Sequence, residues 1–216
     1  MTKIFSYVLK IDDGAAPNPF GGLCTLTICK PIIRRKAKIG DWVIGTGSKN
    51  AMFSNGKKHD LSNYLVYAMK VTEKMYFKKY DIWCKENLQI KIPKFDSTNI
   101  IEQRGDCIYD FSNFPPILRK SVHTEENRKT DVSGKFSLHS NHFYYFGENP
   151  ILLPEELKIF IKGSQGHLVF SDVNVINYFE RWISQYPLNI CNEPQLKELL
   201  TKENCYRCLY FNELKK

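Results

Sequence analysis

Residues 10–50 read KIDDGAAPNPFGGLCTLTICKPIIRRKAKIGDWVIGTGSKN. The run divides by its own chemistry. DDGAAPNPFGG (12–22) holds two prolines and three glycines, which interrupt any regular hydrogen-bond ladder, so it reads as a loop. LCTLTICK (23–30) alternates threonine with leucine and isoleucine and reads as a strand, with a short buried helix as the alternative. PIIRRKAK (31–38) starts on proline and is followed by Gly40, the asymmetry of a short helix. DWVIGTGS (41–48) is a strand in which Gly45 and Gly47 let another group come close to the backbone. Loop, basic helix and glycine-bearing strand are expected to converge on one cleft. The glycines do not make a phosphate loop, because no lysine follows a second glycine at the required spacing. Nor is G-x-G-x-x-G completed, since residue 50 is asparagine, which excludes an ordinary nucleoside triphosphate or dinucleotide fold.

Outward from this run, IFSYVLKI (4–11) alternates as a strand, and LVYAMKVTEKMYF (65–77) reads as one long strand. The region of about 84–140 is weakly patterned and reads as an inserted loop region, with a short strand at 104–111 and a mobile loop at 123–135. SNHFYYFG (140–147) is an aromatic strand with Phe143 and Tyr145 on one face and His142, Tyr144 and Phe146 on the other. Helices are expected at 153–163, 171–186 and 193–203, the second burying Val173, Ile176, Phe179 and Ile183. The expected class is α+β. Residues 1–150 form a core with a small curved sheet or barrel, and 151–216 form a helical C-terminal extension packed on it.

Of 216 residues, 43% are hydrophobic, enough for a buried core. The formal charge of +8 favours phosphate-bearing partners, although a solvated basic surface gives the same number. No run of about eighteen apolar residues predicts a membrane span. The first residues carry no secretory pattern, so the expected location is the cytoplasm. Seven cysteines show no disulfide framework, and Cys24 and Cys29 read as small buried hydrophobes. Cys205 and Cys208 form a C-x-x-C without a second pair, with Cys191 and a histidine as the remaining ligands a zinc would need; no metal and no cofactor are expected. No elbow serine, zinc-protease or deaminase spacing is present.

The sites that remain have two readings each. Arg34 and Arg35 are a phosphate clamp or a solvated basic face. Trp42 stacks on a base or packs in the core. His167, in SQGH, is a general base or phosphate contact, or a surface histidine. Asp12 or Asp13 would be its partner in an acid–base pair around the opening loop.

IRRKAKIGDWVIGTGS, followed by LVYAMKVTEKMYFKKYDIW, resembles the PUA-like fold and its EVE and YTH relatives. DDGAAPNPFGGLCTLTICKPIIRRKAKIGDWVIGTGS, with RGDCIY, SNHFYYFG and GSQGH downstream, resembles the second type of nucleotide modification associated domain over most of the chain. The first resemblance implies a base-binding cleft with Trp42, Thr46, Ser48 and Asn50 on the strand and its exit, and Asp12, Asn18 and Phe20 from the loop. The tyrosine–histidine pair of the EVE motif is replaced here by Thr46-Gly47, so the aromatic wall would come from Phe20 or Tyr145, or the pocket would hold a different ligand. The second implies a link to DNA base modification, in phages and bacteria. Together they imply binding of a modified nucleotide or a flipped modified base, linked to DNA modification or phage defence. The alternatives are an enzyme modifying a nucleobase or nucleotide, and a protein-interaction subunit of a defence system that docks through the C-terminal helices.

Overall fold

Alternating side chains buried on both faces of an open sheet organise the chain. The computed structural model describes residues 1–163 and 166–201. Its elements are β1 (Ile4–Leu9), β2 (Cys24–Leu26), α1 (Pro31–Lys36), β3 (Trp42–Gly47), β4 (Ala51–Met52), β5 (Lys58–His59), β6 (Tyr64–Lys70), β7 (Glu73–Tyr76) and α2 (Phe77–Asn87). They continue with α3 (Ile100–Gln103), β8 (Tyr109–Asp110), β9 (Ile117–Leu118), α4 (Arg128–Ser133), β10 (Phe136–Ser140), β11 (His142–Tyr145), β12 (Ile151–Leu152), β13 (Leu168–Phe170) and α5 (Val173–Ile183).

The main sheet has the order β11-β6-β3-β1-β13, with β12 also on β6. β1 and β3 run parallel, so residues 10–41 must cross over between them. One face carries Phe5, Tyr7, Val43, Tyr67, Met69, Phe143 and Tyr145. The other carries Ile4, Trp42, Ile44, Ala68, Tyr144 and Phe146, covered by Ile176, Phe179 and Ile183 of α5. The expected alternation in residues 142–146 is therefore observed. Burial on both faces explains why these strands are apolar almost throughout.

A second sheet, β2-β10-β7, lies against the first face. The stretch expected as one strand, 65–77, is two strands in different sheets. The chain bends at Val71 and Thr72, where the Thr72 N–H donates to His139 O at 2.8 Å and the Asn141 N–H donates to the Thr72 hydroxyl at 3.2 Å. β6–β7 and β10–β11 thus form one antiparallel ribbon folded from sheet to sheet. Among the described residues the α+β class holds, but the sheets do not close into a barrel.

Several local expectations are corrected. The strand at 23–30 is confined to β2, and the strand at 104–111 to β8. Residues 123–135 are not a free loop but a 3-10 turn (Glu125–Asn127) running into α4, held down by buried Asp131. The segment 153–163 forms a 3-10 helix, Glu155–Phe160. Within α5 the expected apolar face is buried except at Val173, which is 56% exposed in the first turn. Residues 193–201 are not helical, because their backbone groups are taken by distant partners. The Leu196 N–H donates to Asp12 O at 2.9 Å, the Leu200 N–H to Gln103 Oε1 at 2.6 Å, and Glu198 O accepts from Arg104 Nη2 at 2.6 Å. No helix among the described residues is long and apolar enough to cross a membrane.

Asp12 anchors this closing segment. Its carboxyl accepts from Tyr145 Oη at 2.5 Å and from the Gln195 N–H at 3.4 Å. Burial first, and Asp13 beside it, push its pKa from 3.8 up to about 7, while the bonds from Tyr145 and the backbone hold it down in part. The fold therefore favours the protonated acid. That stabilisation is complete below the ordinary carboxylate range and is lost as pH rises through about 7. Urea unfolding of the wild type and Asp12→Asn between pH 4 and pH 8 should show the wild type losing up to about 4 kcal/mol relative to the variant. Parallel pH curves would refute burial of a neutral Asp12.

Candidate active site

The left-handed turn at Cys29 and Lys30 builds the site. Both residues have positive φ, 58° and 38°, which costs a residue with a Cβ about 1–2 kcal/mol each. The turn is held from both sides. The Cys29 N–H donates to Asp131 Oδ1 at 3.0 Å, and Cys29 O accepts from Arg34 Nε at 2.7 Å. Arg34 also donates to Asp131 O at 2.7 Å and to Phe136 O at 3.0 Å. Its side chain fills the space over Gly134, where a Cβ would collide with the guanidinium. Burial lowers its pKa to about 10, against the raising effect of Asp131, so it stays charged at neutral pH.

His123 faces the same turn. It directly precedes Thr124, whose N–H donates to the Asn127 side chain at 3.0 Å and so fixes the entry to the helical run. His123 Nδ1 lies 2.6 Å from Asp131 Oδ2, and its Nε2 lies 3.6 Å from Cys29 Sγ. With a carboxylate at Nδ1, that nitrogen carries the proton, and Nε2 faces the thiol as its acceptor. Tyr109 Oη donates to Asp131 Oδ2 at 3.1 Å. Burial would raise the Asp131 pKa, but His123, the Cys29 N–H and Arg34 outweigh it and hold the carboxyl below its usual value. The result is a thiol, a base and an oriented carboxylate in series, with Cys29 partly exposed and His123 and Asp131 buried. Thr27 Oγ1 and Ser121 Oγ are buried without a hydrogen-bond partner, two residues before the thiol and the base respectively.

A second histidine pair differs. Ser137 Oγ lies 2.8 Å from His139 Nε2, but both residues are fully buried, and burial with Lys91 pushes the His139 pKa down to about 3. It has neither access nor a usable proton affinity.

The residues singled out from sequence lie mostly elsewhere. Trp42 is 1% exposed, its indole N–H bonded to Glu180 at 2.9 Å and its ring packed by His142, Tyr144 and Phe179, so no face is open. Gly45 and Gly47 are approached not by a ligand but by the Tyr67 ring and the Leu61 backbone. Thr46 is buried with its hydroxyl on Tyr7 O. Asn18 is buried, donating to Arg104 O and accepting from Lys91, and Phe20 packs over Gly14. Tyr145 is bound to Asp12. Asp13 accepts from the Ala15 N–H in the same buried loop. Arg34 supports the turn rather than a phosphate, while exposed Arg35 donates to Ser133 O. Ser48 and Asn50 are at the surface, bonded to each other. His167 lies over the Phe5 ring, 6.1 Å between centroids, and not beside Asp12. Cys191 contacts Pro19 O; Cys205 and Cys208 lie outside the described residues.

Sequence reading missed Cys29, His123 and Asp131. The one available signal was the position of Cys29 two residues before Pro31, the proline that starts α1, where the chain must turn into the helix.

No curated protein and no solved structure matches the chain. A family model described as "Nucleotide modification associated domain 2" matches residues 1–202. With nearly the whole length covered, the chain belongs to the nucleotide modification associated domain 2 family.

Proposed function

We propose that the protein is a thiol enzyme acting on a nucleotide or on a base within nucleic acid. The observation that carries this reading is the series Cys29–His123–Asp131, with a half-buried cysteine on a strained turn. Strain held in place by surrounding contacts is a recurrent property of functional turns. The family's link with nucleotide modification supports the substrate class.

The chemistry follows from the donors. His123 Nε2 takes the Cys29 proton, and the thiolate attacks an electrophilic carbon, the amide or amidine carbon of a base or of its substituent. The imidazolium formed is stabilised by Asp131 and returns the proton to the leaving group. A second acceptor, water or an amine, then displaces the thiol. The net reaction is R–X + H–Y → R–Y + H–X, with Cys29 regenerated and no oxidant or reductant consumed.

Iodoacetamide labelling read by peptide mass spectrometry should show His123→Gln slowing Cys29 alkylation at neutral pH by about tenfold or more. Incubation with nucleotides and DNA should give an intact-mass adduct that Cys29→Ser lacks. Labelling independent of His123, or an adduct that survives Cys29→Ser, would sink the assignment. Gly134→Ala should push Arg34 out of its seat, destabilise the fold by about 2 kcal/mol in urea and slow Cys29 labelling. Wild-type labelling in that variant would remove Arg34 from any positioning role.

A further inference from the structure

The second sheet ends in an exposed aromatic pair. The register of β7 and β10 sets Tyr76 against Phe136 and Lys74 against Leu138, so these four side chains share one face. The rings of Tyr76 and Phe136 lie 4.4 Å apart between centroids, 36° from coplanar. Leu138, further along the strand, is fully buried, whereas Tyr76 is 64% exposed. Contact between the strands explains the pair, and it leaves most of the Tyr76 ring open to a further flat partner. Cations frame the rings. Lys74 Nζ sits 4.4 Å from the Phe136 ring centroid and donates to the carbonyls of Arg35 and Ala37 at 2.9 and 2.7 Å. Arg35 is exposed and, among the described residues, uses only Nη1, on Ser133 O at 2.6 Å and Ser133 Oγ at 3.5 Å. Lys78 and Lys135 are exposed, the first two residues after Tyr76 and the second directly before Phe136. The Phe77 N–H donates to Lys135 O at 3.3 Å, which ties the two chain segments together. Among the described residues none of Arg35, Lys74, Lys78 and Lys135 forms an ion pair. Glu73, the one carboxylate of β7, belongs to the opposite face, where its Oε2 stands 3.8 Å from His139 Nδ1. The surface adjoins the thiol. Arg34 donates to Phe136 O through Nη1 and to Cys29 O through Nε, so one guanidinium joins the backbone under the ring pair to the Cys29 turn.

We propose that this face is a stacking platform for single-stranded nucleic acid, with a base on Tyr76 and the phosphates of the same strand on Arg35, Lys78 and Lys135. The proposal deepens the thiol-enzyme reading and rests on it for the chemistry at Cys29. The substrate there is a base within a strand, and a neighbouring nucleotide is held on Tyr76. A ring rimmed by cations suits a strand of any sequence, because every base has a π face and every linkage a negative charge. A second copy of the chain does not fit the face, since a two-fold contact would set the same cations against each other. A neutral apolar partner would bury Arg35 and Lys78 without a counter-charge. Lys74 has a different role: its bonds to the end of α1 fix the rim on which the rings rest.

Fluorescence anisotropy of a labelled oligodeoxynucleotide with the full chain tests this. The single strand should bind, and a blunt duplex of the same sequence should bind about tenfold more weakly, because its bases are already stacked on one another. Tyr76→Ala should weaken single-strand binding by about tenfold, and Tyr76→Phe should preserve it. Arg35→Gln with Lys78→Gln should lower the slope of log affinity against log salt by about 1.4. Circular dichroism checks that each variant is folded. Absence of binding, a preference for duplex, indifference to Tyr76→Ala or an unchanged salt slope each overturns the platform. So does a dimer in sedimentation that Tyr76→Ala dissociates, which assigns the face to a second copy. Cys29 alkylation is read without nucleic acid and the anisotropy without any reaction, so the platform and the thiol-enzyme reading fail separately.

Discussion

The Arg34 guanidinium is the constraint on which the site depends. Among the described residues its hydrogen bonds run to the carbonyls of Cys29, Asp131 and Phe136, which belong to the turn before α1, to α4 and to β10. A buried cation satisfied by carbonyl dipoles, with Asp131 nearby, cannot lose those partners cheaply; uncompensated buried charge costs about 3–5 kcal/mol. The same contacts that keep the charge solvated also fix the thiol against the base. Asp131 closes the loop of dependence, since one oxygen holds the Cys29 N–H and the other holds His123 and Tyr109. Stability and positioning here are one set of hydrogen bonds.

A separate polar network explains the loop 12–22. Lys91 Nζ, fully buried, donates to Asn18 O, Asn18 Oδ1 and Leu23 O. Asp106 accepts from Thr25 and Tyr80 at 2.7 Å each. Arg104 donates to Asp13 O and Glu198 O. The prolines and glycines leave the loop without a regular ladder, and these side chains supply the missing partners for its backbone. A loop held this way is interior scaffold. Its polar residues resemble a ligand rim in sequence because satisfying buried backbone and binding a base call for the same side chains.

That ambiguity marks the limit of what was legible. The strands at 4–9, 42–47 and 142–145 were readable as short runs rich in apolar, β-branched and aromatic residues bounded by turn residues, as strands buried on both faces are. The short helix after Pro31 was readable from its ends. The division of 65–77 between two sheets was not, because the bend depends on a bond from Thr72 to His139, far away in sequence. The site was hidden for the same reason. Cys29 and His123 are 94 residues apart and Cys29 and Asp131 are 102 apart, and neither segment carries a local motif. Cys29 looked apolar among its neighbours, and residues 123–135 looked like a solvated run because only Asp131 among their charges is buried.

The two histidine clusters show why geometry alone does not make a reactive site. Ser137 and His139 are closer together than Cys29 and His123, at 2.8 Å against 3.6 Å. Yet His139 is buried without a carboxylate in hydrogen-bond reach: Glu73 Oε2 stands 3.8 Å from its Nδ1, which has no hydrogen-bond partner. Desolvation and Lys91 then disfavour the imidazolium that any proton transfer would create. His123 has Asp131 at 2.6 Å to stabilise that ion, and a half-buried cysteine beside it. The difference is whether the surroundings can accept the charge that the reaction makes, and in this chain Asp131 decides it.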